Sequence, residues 1–146
     1  MPRSDLYDSD FYAWANEQAQ LLRAGRLAQA DIEHIAEEIE SMGKTEKREL
    51  ISRLKILILH LLNWVHHPER RSKSRRLSIE EQRIQIALHR ADNPGLGPVL
   101  PAMIVDVYRL ALLAVQREME LAASTFPKKC PWSFEQMSAD DFWPEA

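Results

Sequence analysis

The chain is poor in the residues that build several common classes of protein. It has one cysteine and four glycines in 146 residues. A single cysteine excludes a disulfide framework and a cysteine-based zinc site. No uninterrupted apolar run reaches the length of a membrane span. The longest apolar-rich stretch, Ile56 to Val65, contains His60 and Asn63 and is too short to cross a bilayer. The opening MPRSDLYDSD is polar and acidic, with none of the cationic-then-apolar character of a secretory leader. No stretch alternates like a strand, and no segment repeats. The length suits one domain able to bury a core. These absences predict one helical domain over residues 1–146, cytoplasmic and without a membrane partner.

Charge is distributed unevenly. The net charge is −3, but residues 1–42 carry 3 Lys/Arg against 9 Asp/Glu, and residues 43–90 carry 12 against 5. Residues 91–146 return to 4 against 8. Either the acidic ends neutralise the basic middle within one fold, or the middle faces an anionic partner.

Every clear periodicity is helical. Phe11, Ala15, Gln18 and Leu22 share a face with Trp14 and Leu21 beside it, and Asp8, Ser9 and Asp10 favour a helix start. Gly25 suits a stop, so a helix is predicted over about Ser9 to Ala24. Asp31 can cap the next. Ile32, Ile35, Ile39 and Met42 keep phase with Leu50, Leu54, Leu57, Leu61 and Trp64 at ~3.6 residues per turn. That predicts one long helix from Asp31 to about His66, a split at Gly43 being the alternative because Gly costs ~1 kcal/mol in a helix. Pro68 ends it. Ser78 and Glu81 match a capping box, predicting a third helix with Ile84, Leu88 and Ala91 inward and Ile79, Ile86 and Ala87 widening that face. Pro98 suits the first turn of a fourth helix, striped by Leu100, Met103, Ile104, Val107, Ala111, Ala114 and Leu121 and ending near Ala123. A short helix over Ser133 to Met137 and an aromatic tail follow. The expected fold is all-α: a bundle of about four main helices, one of them long, with the tail packed across it.

Several stretches together resemble a known family: YDSDFYAWANEQAQLLRAGR, IEHIAEEIESMGKTEKREL, SRLKILILHLLNWVHHPERRSKS and FPKKCPWSFEQMSADDFWPE. They resemble the domain of unknown function 29 family over nearly the whole chain. That resemblance implies a small all-helical bacterial protein. It brings no activity, cofactor or catalytic residue.

Three constellations remain as candidate sites. Arg70, Arg71, Lys73, Arg75 and Arg76, interleaved with serines, form a basic connector whose planar donors match phosphate oxygens. Against nucleic acid stands the whole chain's pI of about 6.0. His34 with Glu37 or Glu38 has the helical spacing of a metal half-site, with His60 and His89 available as further ligands. No second Glu-x-x-His copy completes it, and Glu33, Glu37 and Glu40 lie opposite the apolar stripe. Trp132, Phe142 and Trp143 either dock a partner or cover the open end of the bundle. Glu46 falls in the core phase and either needs a partner, expected among Arg48, Arg53 and the connector, or marks where the long helix leaves the bundle. His60 reads as a half-buried, hydrogen-bonded histidine. Cys130 reads as a structural thiol, with no helix N-terminus or adjacent base to activate it. The pattern favours a non-enzymatic interaction module, with an unidentified protein partner or a homodimer through the long helix. Polyanion binding is the alternative, followed by a metal-dependent enzyme.

Overall fold

The computed structural model describes residues 6–145. Among them the regular structure is helical: α1 (Leu6–Ser9), α2 (Phe11–Arg23), α3 (Ile32–His66), α4 (Lys73–Asp92), α5 (Leu100–Met119) and α6 (Phe134–Ser138). Short 3-10 turns lie at Leu27–Gln29, Pro68–Arg70, Pro94–Val99 and Ala123–Thr125. The chain is all-α and bundle-like, as its periodicity predicts. It divides into two compact units whose boundary lies between Thr45 and Glu46, inside α3.

In the first unit, Asp10 caps α2 by accepting from the Ala13 N–H at 3.0 Å. Gly25, at φ +72°, ends it. The N–H groups of Gly25 and Arg26 bond back to the Leu22 and Leu21 carbonyls, the paired pattern that a left-handed residue permits. The buried side chains of α2 are Trp14 and Gln18. Phe11 and Leu22, expected inside, are 49% and 43% exposed.

Helix α3 passes through Gly43 unbroken. The glycine's ~1 kcal/mol cost is small beside a helix continued for more than two turns on both sides. The apolar stripe has two fates along it. In the second unit Leu50, Leu54, Leu57 and Leu61 are fully buried, with Ile58 and Leu62 widening the face. Each such burial contributes about 2–3 kcal/mol. Before Gly43 the same stripe is open: Ile32 is 49%, Ile39 63% and Met42 67% exposed.

Helix α4 corrects two expectations. It starts at Lys73, not after Ser78, because Ser72 is also a competent cap and accepts from the Arg75 N–H at 3.1 Å. The earlier start adds helical hydrogen bonds that a cap at Ser78 would forgo. Its buried face is Ile79, Arg83 and Ile86, while Ile84 and Leu88 stand 59% and 63% exposed. The rotation is set by Arg83, whose Nε donates to the Met137 carbonyl at 2.7 Å and whose Nη2 donates to that of Phe142 at 2.6 Å. The C-terminal tail thus supplies acceptors that make a buried guanidinium tolerable.

Helix α5 buries Leu100, Met103, Val107, Tyr108, Ala111 and Val115. Pro98 sits in the preceding 3-10 turn, and Pro101 takes the first turn of α5 instead. The helix stops at Met119, before Ala123, where Glu120 turns left-handed at φ +54°. Helix α6 has a complete capping box, Ser133 with Gln136. Phe126 and Met137 enter the core, and Tyr108 donates to the Pro127 carbonyl at 2.6 Å. Trp132, Phe134 and Trp143 pack half-buried against the same core, so the aromatic tail covers the second unit as expected.

Candidate functional site

Among the described residues apolar stripes lie open on α3 and α4, and α5 exposes Val105, Leu110 and Leu113. The first is the N-terminal part of α3, where Ile32, Ile39 and Met42 are exposed and Ile35 is half-buried. Their 7-and-3 spacing is that of a helix-packing seam, and Glu33, Glu37 and Glu40 are exposed along the same helix. The second is the outer face of α4, where Leu77 (50%), Ile84 and Leu88 are exposed at 7-and-4 spacing. It continues from the basic segment. The first stripe keeps the phase of the buried one and so reads from sequence as core. The second was assigned inward because the acceptors that turn Arg83 inside lie 54 and 59 residues away.

The basic connector is largely engaged, and mostly not by carboxylates. Arg71 Nε donates to the Trp64 carbonyl at 2.7 Å while its guanidinium lies 5.1 Å from the Trp64 ring centre. Arg75 Nη1 donates to His60 Nδ1 at 3.2 Å. Arg76 lies 3.6 Å from Glu80 and 5.1 Å from the Trp143 ring centre. Arg70 and Lys73 are exposed. Trp143, 4.9 Å from Trp64, also receives Arg83, so this ring is a cation-binding face within the fold. Trp132 meets Phe142 edge-on at 6.2 Å.

His60 is half-buried. Burial first, then the Arg75 charge, holds its pKa below the ordinary imidazole value, with Glu118 opposing. The neutral ring is the form that can accept from Arg75. Burial alone lowers His66. Burial raises the Cys130 thiol, with a backbone hydrogen bond at Trp132 opposing; the thiol itself donates to the Trp132 carbonyl at 3.3 Å. Cys130 therefore remains a protonated thiol, not an activated nucleophile.

The other candidate metal residues sit in the first unit, in a polar and aromatic network. His34 Nδ1 donates to Asp31 Oδ2 at 2.6 Å, because a carboxylate only accepts. The His34 ring stacks on Tyr7 at 3.8 Å. The Tyr7 hydroxyl donates to Glu38 at 2.6 Å, and this bond, with burial and the charges of Glu38, Glu37 and Asp8, pushes its pKa up to about 12. Trp14 Nε1 donates to Asp31 at 3.2 Å, and the Asp31 N–H donates to Gln18 at 2.7 Å. Burial raises the Asp31 carboxyl, but the bonds from His34 and Trp14 outweigh it and leave its pKa below the ordinary value. His34 and Glu38 thus each hold Tyr7 or Asp31, Glu37 is exposed, and His60 belongs to the other unit.

A different trio converges in the second unit. Glu46, Glu49 and His89 hold their donor atoms within 4.8 Å of one another, the one such group among the described residues. His89 Nε2 is 2.9 Å from the Glu46 carbonyl, and its Nδ1 is 3.3 Å from Glu49. They line an open cavity of about 440 Å³ with Arg53, Gln85 and Asn93. These are the residues spaced to share a cation. Both imidazole nitrogens already face oxygens, so the trio also ties α3 to α4. It corrects the expectation for Glu46, whose partners are His89 and Asn93 and not an arginine. Arg53 pairs with Glu49 at 3.3 Å. Glu46 is also 45% exposed at its side chain, because the trio opens to solvent at the end of the core.

One segment, Pro94–Met119, is long and apolar enough by length and composition to cross a bilayer, with 33% of its most apolar window buried. This longer apolar run was not evident from the sequence, since Asp106 and Arg109 interrupt it. A helix that lines a protein core has the same composition.

The fold and its surfaces define a small all-α protein with a buried core, exposed apolar faces on α3 and α4 and no assembled catalytic constellation among the described residues. The chain belongs to the family described as Domain of unknown function DUF29, whose profile matches residues 6–143. No curated protein and no solved structure matches it.

Proposed function

We propose that the protein is an interaction module that pairs with a second copy of itself. The carrying observation is the change in exposure along α3: one stripe, buried after Leu50, is open at Ile32, Ile39 and Met42. An apolar seam of this kind on a helix is covered in most proteins. The chain carries a complementary surface on α4, with Leu77, Ile84 and Leu88 exposed. Residues 32–42, the open half of α3, carry four Glu and no Lys or Arg, and α4 carries five Lys/Arg against three Asp/Glu, so the open half of α3 in one copy and α4 of another attract, whereas two open halves face to face repel. A two-fold arrangement makes this contact twice.

Sedimentation equilibrium at rising salt tests the reading. The expected result is a dimer at low salt that weakens as salt screens the charges, and a monomer for Met42→Lys or Leu88→Lys. A wild-type monomer at about 100 µM and low salt contradicts it, because protein interfaces of standard size bind with micromolar affinity or tighter.

A further inference from the structure

We infer that the cleft between α4 and α6 is a binding site for a small organic oxyanion, a carboxylate or phosphate ester carried on an apolar body. The cleft encloses about 360 Å³ and is lined by Arg83, Ile86, Ala87, Arg90, Ala91, Pro94, Phe134 and Ser138, none of them acidic. It lies wholly within the second unit and is independent of the pairing surfaces.

Three of its lining residues carry buried polar atoms without a hydrogen-bond partner: Arg83 Nη1, Arg90 Nε and Ser138 Oγ. Buried polar groups almost always have partners, and an orphaned guanidinium N–H is costly. Arg83 is only 3% exposed. Its Nε and Nη2 are held by the Met137 and Phe142 carbonyls, which fixes the plane of the guanidinium and leaves Nη1 as the free donor. Burial lowers its pKa, opposed by the charges of Asp140, Glu80 and Asp141. None of those carboxylates makes a hydrogen bond to Nη1.

Arg90 is positioned too. Its guanidinium lies 4.9 Å from the Phe134 ring centre. A side chain at Gly97 would come within 3.2 Å of its Nη2, so the glycine leaves the room this head group occupies. Arg83 and Arg90 are seven residues apart on α4, two turns along one face and about 10 Å by helical rise. Two guanidinium groups and a hydroxyl therefore share one cleft, the donor set that recognises carboxylate and phosphate oxygens.

The cleft is too large for a bare inorganic ion to fill, since a water-sized group takes about 30 Å³. Its size lies in the usual range for small-molecule sites. Ile86, Pro94 and the Phe134 ring supply an apolar wall, so the ligand's body is apolar or aromatic.

Calorimetric titration at low salt with phenyl phosphate, phenylacetate, inorganic phosphate and uncharged benzyl alcohol tests this. At least one aromatic anion is expected to bind one-to-one, at least tenfold tighter than benzyl alcohol and than inorganic phosphate. Whether phenyl phosphate or phenylacetate is the tighter identifies the head group. Arg83 also anchors the tail, so the discriminating variants are Arg90→Gln and Ser138→Ala. Each is expected to weaken the aromatic anion at least tenfold while the far-ultraviolet helical signal and melting remain near wild type. Aromatic anions binding no tighter than benzyl alcohol, or binding unchanged in both variants, overturns the assignment.

Discussion

The two halves of α3 carry the same stripe into opposite environments. After Leu50 the stripe is the centre of a core built by α4, α5 and the aromatic tail. Before Gly43 it faces solvent, and the first unit holds together through polar and aromatic contacts instead. Among its described residues the buried apolar side chains are only Trp14 and Ala30, and Tyr7, Trp14, Gln18, Asp31, His34 and Glu38 join in one hydrogen-bonded and stacked group. The difference teaches that hydrophobic phase marks which face of a helix is apolar, not whether anything covers it.

The comparison breaks most sharply with matched truncations. Leu57→Ala, at a fully buried position, is expected to cost about 3–4 kcal/mol by urea unfolding. Ile39→Ala, in the same phase but 63% exposed, should change dilute-solution stability by less than about 0.5 kcal/mol. Equal losses at the two positions would mean that the first half is covered within one copy.

Next in size is Asp31→Ala. It removes the cap of α3 and the acceptor for both His34 and Trp14, worth about 2–3 kcal/mol together. Hydrogen exchange should show lost protection over residues 6–45, with the core amides near Leu57 unchanged.

Acid should separate the two units. His60 and His66 have lowered pKa values, so below the ordinary value of 6.5 the unfolded chain takes up protons before the folded one. The second unit is therefore expected to lose stability as pH falls from about 6.5 through the folded values. Asp31 is depressed below 3.8, so its contribution is present above that pH and disappears only as pH falls through its lower folded value. Protection factors, referenced to the intrinsic exchange rate at each pH from 7.5 to 4.5, should fall first around His60, and a loss of protection around Asp31 first would reverse the assignment.

The smallest effect is Gly43→Ala. A Cβ there meets nothing within 4 Å, so the substitution should stabilise α3 by up to about 1 kcal/mol, read as a small rise in Tm.

Much of this architecture is legible in the sequence because helical phase, proline stops and serine caps are local signals. The unbroken α3, the capped α6 and the packed aromatic tail all follow from them. What was not legible depends on distant partners. Ser72 and Ser78 are both plausible caps, and local chemistry does not choose between them. The inward turn of Arg83 depends on carbonyls near the C-terminus, and with it go the exposed α4 stripe and the α4–α6 cleft. The network around Asp31 links Tyr7 to Glu38 across 31 residues, where spacing within the helix suggested a metal half-site. Glu46 stands out in the sequence by its core phase, but its convergence with Glu49 on His89 depends on how α4 lies on α3.

The central claim is that the open half of α3 is a surface for α4 of a second copy. Hydrogen exchange measured at low and high protein concentration tests it most directly. The expected result is a joint gain in protection over residues 32–42 and 77–88 at high concentration, absent in Met42→Lys. Exchange independent of concentration in both segments would contradict it.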